Sequence, residues 1–356
     1  MTPVRNTRQA QLILAFSVLT TVLFWPVFLP KLVPIWPVLG VFGWFGWFGC
    51  MSMILLSYGR LIGFQHAIPC PELASVVVSL LPALMFSVFV PSAKNLSADE
   101  LLLSFDGNYG LFGFSVARAF RLWPIPALLP ILAYDALPLA GTAIYMALPT
   151  VALRRKYCVT SVLVLSIFLC YRLCPAAGPG FLLPDFPASV PNLAHPQLRL
   201  MKGAVFNAIP SGHVMGALLL VFYSFRYCGR KIQIAANAFG ILTSIATLGL
   251  GQHYIIDLIL SVPFAAYIWA LAHRQYKFGG LALAVVLAWL LALRNGWALA
   301  IPPGAVWILT GATIAPFLLY SLDHVGETGA SGDRHATREA AASCAAPEAI
   351  RELGPA

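Results

Sequence analysis

The sequence predicts an all-α fold, a polytopic transmembrane helical bundle of about ten spans, on three observations. Of the 356 residues 60% are apolar and 10% charged. A soluble domain spends about a quarter of its residues on charge, so this chain cannot cover a water-facing surface. Apolar runs of roughly twenty residues recur, long enough to cross a hydrocarbon core as helix. The runs are continuous, where a membrane β-barrel would alternate with a period of two.

Taken in order, the spans fall at 12–29, 35–57, 72–90, 123–149, 158–173, 207–225, 232–250, 254–272, 278–293 and 302–320. The first follows Arg5 and Arg8 and resembles a secretory signal, but it is long, meets Pro30-Lys31 and lacks a small-residue cleavage site. It is therefore read as a retained span. The second is interrupted by Pro34 and Pro37 and then carries Gly40, Gly43, Gly46 and Gly49, a spacing that suits close helix packing in lipid. The fourth carries Pro124, Pro126, Pro130 and Pro138 and is expected to be kinked or broken. After Asp323 the chain becomes polar, and this tail is read as cytoplasmic.

The formal charge is +9. The basic residues sit in short loops between spans, where anionic lipid rather than nucleic acid is the expected counterpart. Arg154, Arg155 and Lys156, then Arg226, Arg230 and Lys231, then Arg274 and Lys277 all fall on one face, and the lysine/arginine rule makes that face cytoplasmic. Seven cysteines without paired short spacing argue against a disulfide framework and against a zinc cluster. Two long connections lie on the opposite face. In the first, 91–122, the segment Asp99–Phe105 has an acidic start and an apolar body and reads as a short helix lying in the interface. The second, 174–207, is rich in proline and glycine, and its length marks it as the cover of a site.

Polar residues inside the apolar runs carry the chemistry. Asn207-Ala208-Ile209-Pro210-Ser211-Gly212-His213 enters the sixth span. Proline and serine suit a helix start, whose unpaired N–H groups and positive dipole end hold an anion. Gly212 leaves room for an oxyanion, and His213 sits one turn in, placed to protonate a leaving oxygen. The second stretch is Gly249-Leu250-Gly251-Gln252-His253-Tyr254-Ile255-Ile256-Asp257. His253 and Asp257 share a helix face. A carboxylate there steadies the imidazolium formed when the other ring nitrogen attacks. Forty residues separate the histidines, one crossing out and one back, so both reach one membrane face. A nucleophile, a proton donor, N–H groups and cations are what phosphoryl transfer needs. Ser211 and Gly212 are the candidate phosphate-binding residues at the helix start, and Arg172, Arg199 and Lys202 the candidate cations. Two rivals stand beside this reading: a zinc site on His253, Asp257 and His213, and a proton or ion relay through Asp135, Asp257 and the histidines. A transporter with a lipid-phosphate pocket is the corresponding non-enzymatic function.

Pro210-Ser211-Gly212-His213 resembles the second signature of the type 2 phosphatidic acid phosphatase superfamily, and His253 with Asp257 resembles the end of its third. Within that superfamily, Gly251–Asp257 and Tyr171-Arg172-Leu173-Cys174-Pro175-Ala176-Ala177-Gly178-Pro179 are most similar to the inositol phosphorylceramide synthase and sphingomyelin synthase branch. The resemblance covers roughly residues 100–275. It implies a six-helix catalytic core, independent of metal and cofactor, facing the non-cytoplasmic side of a bacterial inner (plasma) membrane. It implies that His253 attacks phosphorus, Asp257 orients His253 and His213 protonates the leaving alkoxide. The substrate would be a lipid phosphate or phospholipid. Water as acceptor gives a phosphatase, and an alcohol gives a phosphotransferase. The chain then divides into N-terminal membrane helices (1–98), the catalytic core (99–275), C-terminal membrane helices (276–322) and the tail (323–356). Two features depart from the phosphatases: Thr247 stands where they carry an arginine six positions before the attacking histidine, and the first, lysine/arginine-containing signature is absent as such.

Overall fold

Proline, glycine and polar breaks cut the apolar runs into helices joined by short turns. The computed structural model describes residues 96–323 apart from 190–191, 194–196 and 202–203. Eleven α-helices and no strand occur among the described residues. They are α1 (Ser97–Asp106), α2 (Phe112–Leu122), α3 (Pro124–Asp135), α4 (Leu137–Ala147), α5 (Val151–Leu163), α6 (Ile167–Leu173), α7 (Gly212–Tyr227), α8 (Arg230–Gly249), α9 (Ile255–Ala272), α10 (Tyr276–Arg294) and α11 (Pro303–Asp323).

The expectation of about ten spans is corrected. Among the described residues five helical stretches are long and apolar enough to cross a membrane: Ala152–Leu173, which joins α5 and α6 through a 3-10 turn, then α8, α9, α10 and Pro303–Tyr320 of α11. Counting α2 and α3 as one bent span gives six. The run 123–149 is not one crossing. Pro124 opens a new helix at Trp123, Pro138 follows a break at Ala136, and α3 pairs with α2 across a bend of 118°. The run 207–225 yields α7, whose 16 residues reach about 24 Å, short of a hydrocarbon core of about 30 Å. The expected spans 12–29, 35–57 and 72–90, the Gly40–Gly49 packing face and the tail beyond Asp323 lie outside the described residues.

The burial pattern is that of a multi-pass integral membrane protein. The apolar window of α9 is 72% buried, against 22–33% for the other four stretches, which makes α9 the central helix. Around it the outer helices expose large apolar side chains: Ile234 and Ile241 on α8, Leu281 on α10, Ile308 and Leu319 on α11. Such faces belong against lipid.

The chain path sorts the loops by end. α6, α8 and α10 run toward one end, where loops 174–211, 250–254 and 295–302 cluster, and α7, α9 and α11 run away from it. Arg226, Arg230, Lys231, Arg274 and Lys277 fall at the opposite end. Lys156 and Arg226 both act electrostatically on His273 there, which places the α5 basic cluster beside them.

The short helix expected in the 91–122 connection forms as α1, and it packs into the bundle. Leu102, Leu103 and Phe105 are fully buried, as is Asp99, and Asp106 nearly so. An acidic start with an apolar body suits a headgroup boundary, and it equally suits burial where a partner helix supplies N–H donors, which α9 does.

Candidate active site

The second polar stretch folds into a tight turn between α8 and α9. Gly251 adopts φ +66°, a left-handed conformation in which glycine costs little. The chain then extends through His253 into α9. His253 is buried, and its Nδ1–H donates to the Ala208 carbonyl at 2.6 Å. Asp257 Oδ2 lies 3.4 Å from the same nitrogen. The distances assign the short hydrogen bond to the carbonyl and leave the carboxylate a mainly electrostatic contact. A carbonyl accepts and cannot donate, so the proton sits on Nδ1 and the neutral ring carries its lone pair on Nε2. The Asp257 carboxylate also caps a helix, because its Oδ2 accepts the Tyr254 N–H at 2.7 Å and closes a capping box at the start of α9.

The first polar stretch supplies Ala208 and, five residues on, His213. Ser211 is the N-cap of α7, fully buried, with its Oγ accepting the Val214 N–H at 3.4 Å. The Gly212 N–H faces the Tyr171 hydroxyl. Both groups expected to meet phosphate are thus held by protein partners, and the helix start is preorganised. The two stretches are tied together. Ser211 N–H donates to the Asp257 carbonyl at 3.3 Å, and Ser261 Oγ lies 2.7 Å from that oxygen and 3.0 Å from the Ser211 carbonyl. The His213 ring stacks on Tyr134, with centroids 3.7 Å apart and planes at 15°. The Tyr134 hydroxyl donates to Gln252 Oε1, next to His253. His253 lies within electrostatic reach of His213. Both histidines therefore share one end of the bundle and one cluster.

The first part of the long connection 174–207 packs onto this turn. Ala208 N–H donates to the Ala176 carbonyl at 2.9 Å, and Gly180 N–H donates to the Gly251 carbonyl at 2.7 Å. A Cβ on Gly178 would run into the Gln252 backbone, so only glycine permits this approach. Phe186 meets Phe114 of α2 edge to face at 4.9 Å, and the Arg118 guanidinium, also on α2, donates to the Pro187 and Ala188 carbonyls at 3.0 and 3.1 Å.

The expected cations are less closely placed. Arg172 and Arg199 are exposed, and among the described residues neither guanidinium reaches the histidine cluster by a hydrogen bond or ion pair. Lys202 lies outside the described residues. Thr247 is buried within α8, its hydroxyl donating to the Thr243 carbonyl at 2.7 Å. Asp135, named in the relay reading, is buried at the end of α3 beside Tyr134. Among the described residues no group of three or more His, Cys, Asp or Glu is arranged to hold a metal ion. Sequence reasoning passed over Tyr134, the Ala208 carbonyl and Arg118. A tyrosine inside an apolar run is too ordinary to single out the first. The other two leave no mark in sequence.

Residues 130–271 match the model of the PAP2 superfamily. The matched stretch holds both histidines and Asp257, and it begins after α1 and α2. No curated protein and no solved structure matches the chain.

Proposed function

We propose, from the PAP2 superfamily domain at residues 130–271, that this membrane protein cleaves a lipid phosphate ester through a phosphohistidine on His253 and passes the phosphoryl group to an alcohol or water. The observation that carries the reading is the 2.6 Å hydrogen bond from His253 Nδ1 to the Ala208 carbonyl. It leaves Nε2 with a lone pair, on a ring that cannot turn without losing that bond. Nε2 attacks phosphorus, a P–N bond forms and the P–O bond to the leaving alkoxide breaks. His213, held neutral by burial and by the neighbouring His253, takes up a proton beside the anionic phosphate and gives it to that alkoxide. In the second half His213 takes the proton of the acceptor hydroxyl, the acceptor oxygen attacks phosphorus and the P–N bond breaks. Asp257, 3.4 Å from Nδ1, balances the positive charge that grows on His253. The reaction is proposed to run without a metal; among the described residues no three His, Cys, Asp or Glu are arranged to hold one.

The basic clusters at the far end of the bundle set the orientation. They are proposed to face the cytoplasm, with the histidines opening to the other side. The Tyr171–Pro179 segment, similar to the inositol phosphorylceramide and sphingomyelin synthase branch, favours transfer to an alcohol over hydrolysis.

The test is mass spectrometry of products formed from a lipid extract by purified protein, with and without chelator. His253→Ala is expected to abolish product and His213→Ala to lower it by about 100-fold or more. Loss of activity on chelation would favour the metal reading. Lipid movement without product would favour transport.

A further inference from the structure

The turn that carries His253 is held from outside the matched domain. Helix α1 lies before residue 130, yet it places two carboxylates on the start of α9. Asp106 Oδ1 accepts the Ile255 N–H at 2.8 Å, and the Ile256 N–H also reaches this carboxyl. Asp99 Oδ1 accepts the Tyr254 hydroxyl at 3.1 Å, and the Ala177 N–H reaches the same side chain. With Asp257 on the Tyr254 N–H, three successive N–H groups after His253 are held by carboxyl groups. These are donors that a helix start leaves unpaired. Ala177 neighbours Gly178, which packs on Gln252, so Asp99 ties the covering loop to the turn as well.

We infer that Asp99 and Asp106 are positioning residues, which fix the backbone on either side of His253 so that its ring stays on the Ala208 carbonyl with Nε2 directed at phosphorus. The inference rests on the proposed role of His253. Neither carboxylate touches the ring. Both act through main-chain and hydroxyl donors one to three residues along, and two of these sit in a rigid first turn. Burial also pushes both carboxyls up, Asp99 to about 8 and Asp106 to about 7, which suits groups acting as neutral or weakly charged acceptors rather than as phosphate-repelling anions.

The experiment uses the full chain in detergent micelles and compares Asp106→Ala, Asp106→Asn and Tyr254→Phe. Asparagine keeps the acceptor oxygen and alanine removes it. Asp106→Ala is expected to lower kcat on the order of 10–100-fold with KM within about twofold, since small misplacement of a reacting group acts on that scale. Asp106→Asn should recover most of that loss, and Tyr254→Phe should lower kcat alone. Equal kcat for Asp106→Ala and wild type, or a loss in Asp106→Asn as large as in Asp106→Ala, would overturn the inference. If Asp106→Ala yields no folded protein, Tyr254→Phe decides, because it keeps the ring and removes only the hydroxyl; unchanged kcat would then overturn it. Diethylpyrocarbonate labelling of His253, read by peptide mass spectrometry, needs no substrate. It separates failure of the clamp from failure of the proposed function. Tyr254→Phe should speed labelling of His253 and leave His273, at the far end of the bundle, unchanged; equal His253 rates would again overturn the inference.

Discussion

The Ala208 carbonyl gives His253 an unusual degree of independence from its carboxylate. Where a carboxylate alone fixes a tautomer, its amide replacement misorients the ring. Here the main chain fixes it, and Asp257 is left with an electrostatic contact to the ring and the Tyr254 cap. Asp257→Asn keeps an acceptor for the cap and removes the charge. It is expected to lower kcat on the order of 10–100-fold, well short of the loss in His253→Ala. Steady-state kinetics of the two variants checks this, and equal inactivity would mean that the carboxylate sets the ring. Both histidines and Asp257 were legible in the sequence because ionisable groups inside apolar runs stand out. The carbonyl was not, since every residue has one and only the fold decides which is aimed at a ring. Tyr134 was hidden for a different reason: aromatic residues are ordinary in such runs, and its stacking on His213 joins helices that no local pattern connects.

The covering loop and α1 act as structural elements of the site. The loop's length and its proline and glycine content lead to the expectation of a cover, and the hydrogen bonds from Ala208 and Gly180 place its first part against the His253 turn. What pins its next stretch is Arg118 from α2, a contact between segments about 70 positions apart that no short-range pattern foretells. Arg118→Ala is expected to speed proteolytic cleavage between Leu182 and Asn192 at an unchanged rate elsewhere; an unaltered cleavage pattern would show that the loop is held by other contacts. The sequence places helix α1 at the interface because an acidic helix start ordinarily seeks water. Asp106 instead finds the N–H groups of α9 and Asp99 the Tyr254 hydroxyl, and Leu102, Leu103 and Phe105 follow them into the bundle.

The molecule is a lipid-facing bundle wrapped around one central helix, with its polar chemistry gathered at one end and its basic loops at the other. All-α architecture and membrane residence were readable from composition. The span count was not, because run length cannot tell one crossing from two short helices meeting at a proline, as at Ala136. The buried acids of α1 also make stability depend on pH. Burial raises Asp99 from 3.8 to about 8 and Asp106 from 3.8 to about 7, the Asp257 charge and, for Asp99, that of Glu100 adding to the rise, while the Tyr254 hydroxyl and the Ile255 N–H pull them down. Between pH 3.8 and those values the folded form binds more protons than the unfolded one. Their contribution is full below pH 3.8, declines as pH rises and is lost above about 8. Thermal unfolding in detergent should therefore shift to lower temperature from pH 6 to pH 9, and less so in an Asp99→Asn, Asp106→Asn double variant. An equal shift in both would remove these carboxyls as its source.

The central claim is a covalent P–N bond at His253. Rapid acid-free quenching of enzyme mixed with lipid substrate carrying radioactive phosphate, followed by peptide mapping, tests it directly. Label is expected on the peptide holding His253, stable in alkali, lost in acid and absent from His253→Ala. Label on another residue, or product formed at the wild-type rate by His253→Ala, would contradict it.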